Sequence, residues 1–116
     1  MCDTVLREGR YIMDVQIKRG LLDVCVLASI NKQVSYGYQI IKDMSPYVEI
    51  SESTLYPILR RLEANELLTV TSSEHNGRLR KYYSITEKGK NRLRDFKDEW
   101  KELIAIYNYI SKEESQ

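Results

Sequence analysis

The chain has 116 residues, of which 42% are hydrophobic and 30% charged, with two prolines; this suits one domain with its own core and excludes a disordered or membrane-embedded composition. No run approaches the roughly 18 apolar residues of a spanning helix, and Asp3, Arg7, Glu8 and Arg10 interrupt any signal-peptide core, so a cytoplasmic location is expected. A net charge of +1 gives no whole-molecule attraction to nucleic acid, but the charge is uneven: Arg78, Arg80, Lys81, Lys88, Lys90 and Arg92 stand against Glu87, and Asp95, Asp98, Glu99, Glu102, Glu113 and Glu114 make an acidic tail.

Residues 2–16 carry Val5, Leu6, Tyr11, Ile12, Met13 and Val15 and are expected to form a short helix against a dimer partner. Residues 17–30 place Ile17, Leu21, Val24, Cys25 and Ala28 on one stripe, widened by Leu22, Val26, Leu27 and Ile30, which predicts a central core helix. Cys25 in that setting reads as a small buried hydrophobe, with redox sensing as the alternative, and Cys2 as an exposed terminal thiol. Ser35 is placed to cap a second helix whose Ile40, Ile41 and Met44 face inward and which Ser45-Pro46 ends. Gly37 near its start is expected to let two helices approach closely.

In the third helix Leu55, Ile58, Leu59 and Leu62 recur at i, i+3, i+4 and i+7 as a narrow inward stripe. Opposite it lie Ser53, Pro57, Arg60, Arg61 and Ala64, with Thr54 and Tyr56 on the flanks. Pro57 fits the first turn if Ser53 is the cap and distorts the helix if Ser51 is; the break at residues 49–51 favours Ser51. Residues 67–72 and 79–85 alternate as the strands of a hairpin, joined through the polar stretch 73–78, in which Asn76-Gly77 supplies positive φ angles. Thr86 then caps a long last helix. Its Leu93, Phe96, Trp100, Leu103, Tyr107 and Ile110 alternate spacings of three and four, a heptad seam whose expected partner is a second copy of the chain.

The fold class that follows is mainly α with a small β-hairpin: a winged helix-turn-helix with an amino-terminal extension over residues 1–85, and a dimerisation helix over residues 86–116. Ser53, Thr54, Tyr56, Arg60 and Arg61 are the donors that major-groove reading needs, against the bland reading of a solvated face. Arg78, Arg80 and Lys81, just past a glycine turn, suit a minor groove or a phosphate backbone, whereas exposed cations on an edge strand also guard against aggregation. Tyr83 is expected in the core with Ile85, and Tyr82 on the opposite face, where its hydroxyl reaches phosphate. Lys18 and Arg19 are further phosphate candidates. His75 reads as a solvated turn residue, since no convergent ligands or activated nucleophile accompany it; no metal, no cofactor and no enzymatic activity are expected. Trp100, with Phe96 one turn away, is either interface core or the wall of a site for a flat aromatic molecule between two subunits.

The segments Tyr36-Gly37-Tyr38, Thr54-Leu55-Tyr56-Pro57-Ile58-Leu59-Arg60-Arg61-Leu62-Glu63 and Gly77-Arg78-Leu79-Arg80-Lys81-Tyr82-Tyr83-Ser84-Ile85-Thr86 together resemble the PadR family of bacterial transcriptional regulators, in its shorter subfamily with a single carboxy-terminal helix. The resemblance runs from about residue 18 to 110. It implies a homodimeric repressor that binds double-stranded, near-palindromic operator DNA, releases it on binding a small planar aromatic effector, and has no membrane partner. It further implies DNA contacts from Tyr36, Tyr38, Ser53, Thr54, Tyr56, Arg60, Arg61, Arg78, Arg80, Lys81 and Tyr82, and effector contact from Trp100 and Phe96. One departure is Asn65-Glu66, where the family commonly has a glycine after the recognition helix; asparagine tolerates the left-handed conformation that a turn there needs, and a longer helix is the alternative. The competing reading is a winged-helix module that binds a protein partner or hydrophobic ligand without sequence-specific DNA binding.

Overall fold

In the computed structural model, which describes residues 6–7, 10–11 and 15–114, α1 (Val15–Lys32) has apolar residues on most sides, so packing decides which of them go inward. Val24, Val26, Leu27 and Ile30 are sealed in the core, whereas Ile17 and Ala28, expected in the central stripe, face outward. The helix expected over residues 2–16 is replaced, where described, by β1 (Leu6–Arg7) and β2 (Arg10–Tyr11), paired antiparallel as Leu6 with Tyr11 and Arg7 with Arg10. Gly9 weakens a helix through this stretch by about 1 kcal/mol relative to alanine, and the rest of it, apart from α1's start, lies outside the described residues.

The helix-turn-helix is formed by α2 (Gly37–Met44) and α3 (Glu52–Ala64). Ser35 does not cap α2 as expected: the capping position is Tyr36, whose side chain makes no cap hydrogen bond. Ser35 is instead buried, its backbone N–H donating to the Tyr83 carbonyl at 3.2 Å and its carbonyl accepting from the Tyr83 N–H at 2.7 Å. Burial leaves these polar groups nowhere else to find partners, and the pairing gives the hairpin a one-residue third strand. Gly37 allows the approach foreseen for it, since a Cβ there would stand 2.4 Å from the Tyr56 hydroxyl oxygen.

α3 begins at the Ser51 cap, where the Thr54 N–H donates to Ser51 Oγ at 3.3 Å, and runs on through Pro57. Leu55, Ile58, Leu59 and Leu62 are buried as the stripe required. At its end Glu66, not Asn65, takes the left-handed conformation, with φ of 63°. Asn65 keeps a negative φ as the last half-helical residue, and the Leu67 N–H closes onto the Leu62 carbonyl at 2.9 Å, the wide loop of a Schellman turn.

β3 (Leu68–His75) and β4 (Arg78–Ile85) pair from Leu68 with Ile85 to His75 with Arg78. The connection is therefore Asn76-Gly77 alone, with φ of 53° and 77°, a type I′ turn, and residues 73–75 expected in the loop join the ladder. Two positive-φ residues match the strand twist, so polar composition does not prevent pairing up to the tip.

α4 (Glu87–Glu114) starts against the turn that ends α3. Thr86 Oγ1 donates to the Glu66 carbonyl at 2.7 Å and accepts from the Gly89 N–H at 3.0 Å, while the Thr86 N–H donates to the Leu67 carbonyl at 3.1 Å. A Cβ on Gly89 would stand 2.2 Å from the Leu67 carbonyl oxygen. Leu93 is buried and Phe96 half-buried against the core; α4 packs here on α1 and β4, and every side chain from residue 97 to 110 is exposed.

Substitution at this junction should act in opposite directions. Gly89→Ala must push α4 off a backbone carbonyl and should lower stability by about 2–3 kcal/mol, whereas Glu66→Gly relieves a left-handed side chain and should raise it by about 0.5–1 kcal/mol. Urea unfolding of the two variants beside the parent chain checks both.

Candidate nucleic-acid interface

The exposed side of α3 follows from its stripe. With Leu55, Ile58, Leu59 and Leu62 inward, Ser53, Pro57, Arg60 and Ala64 point away from the core and are exposed. Hydroxyls gather at the amino end: Ser51 Oγ lies 3.0 Å from Ser53 Oγ and donates to Thr54 Oγ1 at 3.2 Å. A helix start with short donors and unpaired N–H groups is suited to phosphate oxygens and base edges.

Arg60 and Arg61 diverge by roughly 100° around the helix, and their environments differ accordingly. Arg60 is exposed on the side toward the hairpin, beside Glu63, Lys81 and Tyr83. Arg61, expected alongside it on the open face, is turned onto α1, where its guanidinium donates to Asp23 Oδ1 at 2.5 Å with both side chains about one-third exposed or less. Asp23 was not singled out from the sequence, although a lone carboxylate within Leu21-Leu22-Asp23-Val24 signals a partner. Lys18 and Arg19 of α1 stand at the rim of the same notch, of about 390 Å³, with Thr54 and Pro57.

On the other flank an open groove of about 920 Å³ separates the helix-turn-helix from the hairpin, lined by Tyr36, Tyr38, Tyr56, Arg78, Arg80 and Lys81 among others. Arg78 and Lys81 are exposed, while Arg80 is half-buried with its guanidinium over the Tyr36 ring, 4.0 Å from the centroid. Tyr82 meets the same ring edge-on at 5.9 Å. Tyr38 is exposed, with the Lys42 ammonium 5.7 Å from its ring centroid. Tyr83 is buried as expected; burial first, and then Tyr56 and Glu63, push its phenol above the usual range, with Arg60 partly opposing. Leu79 is 80% exposed on the groove side of the hairpin, an apolar surface not marked out in advance. His75 ends β3 opposite Arg78 rather than sitting in a turn.

Of the expected seam, Leu93 packs in the domain's own core, 5% exposed. Phe96 stacks on Trp100, with ring centroids 5.7 Å apart and planes 21° from parallel. Trp100, Leu103, Ile104, Ile106, Tyr107 and Ile110 stand exposed beyond it. Burial pushes the Cys25 thiol above its usual range, opposite to a reactive thiolate. Among the described residues no group of His, Cys, Asp and Glu is placed to hold a metal, and no helix is long and apolar enough to cross a membrane.

The transcriptional regulator PadR-like family matches residues 26–95. A PadR-like transcription factor from Bacteroides fragilis is 35% identical, with a TM-score of 0.75 over 82% of this chain and 94% of that one. An uncharacterised protein of Lysinibacillus sphaericus is 37% identical over 95 residues, 78% of this chain and 87% of its own length. Bacillus subtilis PadR, solved in complex with operator DNA, shares the fold at a TM-score of 0.62 and 23% identity, covering 66% of this chain and 46% of that one.

The two adjacent arginines should separate in a stability measurement. Removing either partner of the half-buried pair, by Arg61→Ala or Asp23→Ala, should cost about 1 kcal/mol, whereas Arg60→Ala should stay within about 0.5 kcal/mol of the parent. Urea midpoints for the three variants decide it.

Proposed function

This chain belongs to the PadR-like family of transcriptional regulators, and on that premise we propose that it is a repressor that grips a near-palindromic operator as a homodimer and lets go when a small planar aromatic compound enters the dimer interface. The observation that carries the reading is the groove whose walls are the start of α2 with Glu52 and Tyr56 of α3 on one side and a cationic hairpin on the other. Ser53, Thr54 and Arg60 present donors to a major groove, and Arg78, Arg80 and Lys81 supply the positive wall that a phosphate backbone requires. Tyr38, Lys18 and Arg19 flank this surface; Arg61, spent on Asp23, contributes less. Bacillus subtilis PadR in complex with operator DNA offers a precedent for such a fold on a duplex.

Two features favour the dimer. Leaving a Leu or Ile side chain half in water forgoes about 1 kcal/mol, and α4 does this repeatedly along its outer half. The stripe from Ile106 through Trp100 to Ile104 spans about 160° at 100° per residue, wider than one helix covers, so the second copy would bring its own α4 and the outward Ile17 side of α1. With recognition helices set one helical turn apart, about 34 Å, the dimer would read two half-sites.

A labelled duplex from upstream of the protein's own gene should bind in preference to random duplex. Arg60→Ala should weaken binding by about 1–3 kcal/mol and relax base preference. Arg78→Ala or Lys81→Ala should weaken it evenly across sequences and lower the slope of log affinity against log salt by about one. Sedimentation should give a dimer that Arg60→Ala leaves intact; equal affinity for all duplexes would remove the operator reading.

For the effector, Trp100 is the chain's one tryptophan. Planar phenolic or cationic compounds should quench its fluorescence at the concentrations that release DNA. Release without quenching would place the effector elsewhere.

A further inference from the structure

We infer that Tyr36 is a positioning residue for the hairpin: it acts on DNA through Arg80, which it holds, rather than by a contact of its own. The inference rests on the DNA-binding reading above and deepens it. Tyr36 sits at the extended capping position of α2, with φ of −124° and ψ of 167°, and its side chain does not cap the helix. Its ring goes to the hairpin instead, where the Arg80 guanidinium lies over one face at 4.0 Å and Tyr82 meets it edge-on at 5.9 Å and 76°.

The neighbours of Tyr36 make that ring a fixed point. Ser35 is bound to Tyr83 by two backbone hydrogen bonds, and Gly37 abuts the Tyr56 ring of α3. Three successive residues thus tie the start of α2 to both strand β4 and the recognition helix, and Arg80 is held relative to all of them. Stacking also differs in kind from the pairing of Arg61. A guanidinium lying on a ring keeps its charge and its in-plane N–H donors free for phosphate, whereas Arg61 gives a donor and much of its field to Asp23. Arg80 is therefore preordered and still available. Arg78 and Lys81, both exposed, are the unheld cations beside it.

Fluorescence anisotropy on the upstream duplex, over a series of salt concentrations, tests this with Tyr36→Phe, Tyr36→Leu, Arg80→Ala, Arg80→Lys and the Tyr36→Leu/Arg80→Ala pair. Tyr36→Phe keeps the ring and should bind within about twofold of the parent. Tyr36→Leu should lose about tenfold and, though it removes no charge, should lower the salt slope as Arg80→Ala does. The double variant should be no weaker than Arg80→Ala alone. Arg80→Lys keeps the charge and loses the planar stack; with an unfolding midpoint matching the parent's, it should fall about fivefold or more. Additive losses, a Tyr36→Phe as weak as Tyr36→Leu, or an Arg80→Lys equal to the parent would each overturn the inference. A parent chain that does not prefer the upstream duplex to random sequence would instead sink the DNA-binding reading beneath it.

Discussion

The contact on which the rest of the molecule depends is the one between the first turn of α4 and the turn that ends α3. Glu66 bends the chain through a left-handed residue, Thr86 bonds to the Glu66 and Leu67 backbone, and Gly89 lies so close to the Leu67 carbonyl that no side chain fits. Recognition helix, hairpin and long helix all leave from this point. Because the contact is made of backbone groups and one short hydroxyl, its geometry has little slack. In the proposed dimer, whatever sets the relation between two α4 helices would also set the separation and tilt of the elements proposed to meet DNA.

Three arginines within the same small surface show how one residue type takes different duties from its surroundings. Arg60 is solvated, Arg61 is spent on a carboxylate, and Arg80 is laid on an aromatic ring. Their charge is the same in each case. What differs is how many donors remain free and how much rotamer freedom an incoming phosphate would have to remove. The near-neutral net charge of the chain conceals this, because its 18 Lys and Arg are almost matched by 17 Asp and Glu.

The long helix is legible as two halves. Through Leu93 and Phe96 it completes the core of its own domain, and past residue 97 it carries an apolar stripe that nothing among the described residues covers. The outward Ile17 and Ala28 of α1 belong to the same picture. A helix apolar on most sides can satisfy one core and still offer a second surface, which a stripe drawn on one face alone does not reveal.

Local periodicity determined much of this protein. The α3 stripe, its Ser51 cap, the Asn76-Gly77 turn and the Gly37 approach are short-range matters, since a residue's face, cap or φ angle depends on neighbours within a turn or two. The motif strings and their order carried the family as well. What the tertiary structure decided was every question with a partner far along the chain: that Ser35 pairs with Tyr83 and does not cap, that Arg61 meets Asp23, that Gly89 rests on Leu67, that Leu93 is core, and which side of α1 turns inward. The left-handed residue slipped from Asn65 to Glu66 for the same reason, because the position of that turn is held by Thr86, twenty residues on from Glu66. Spacing along a chain encodes which residues share a face; only packing selects what that face meets.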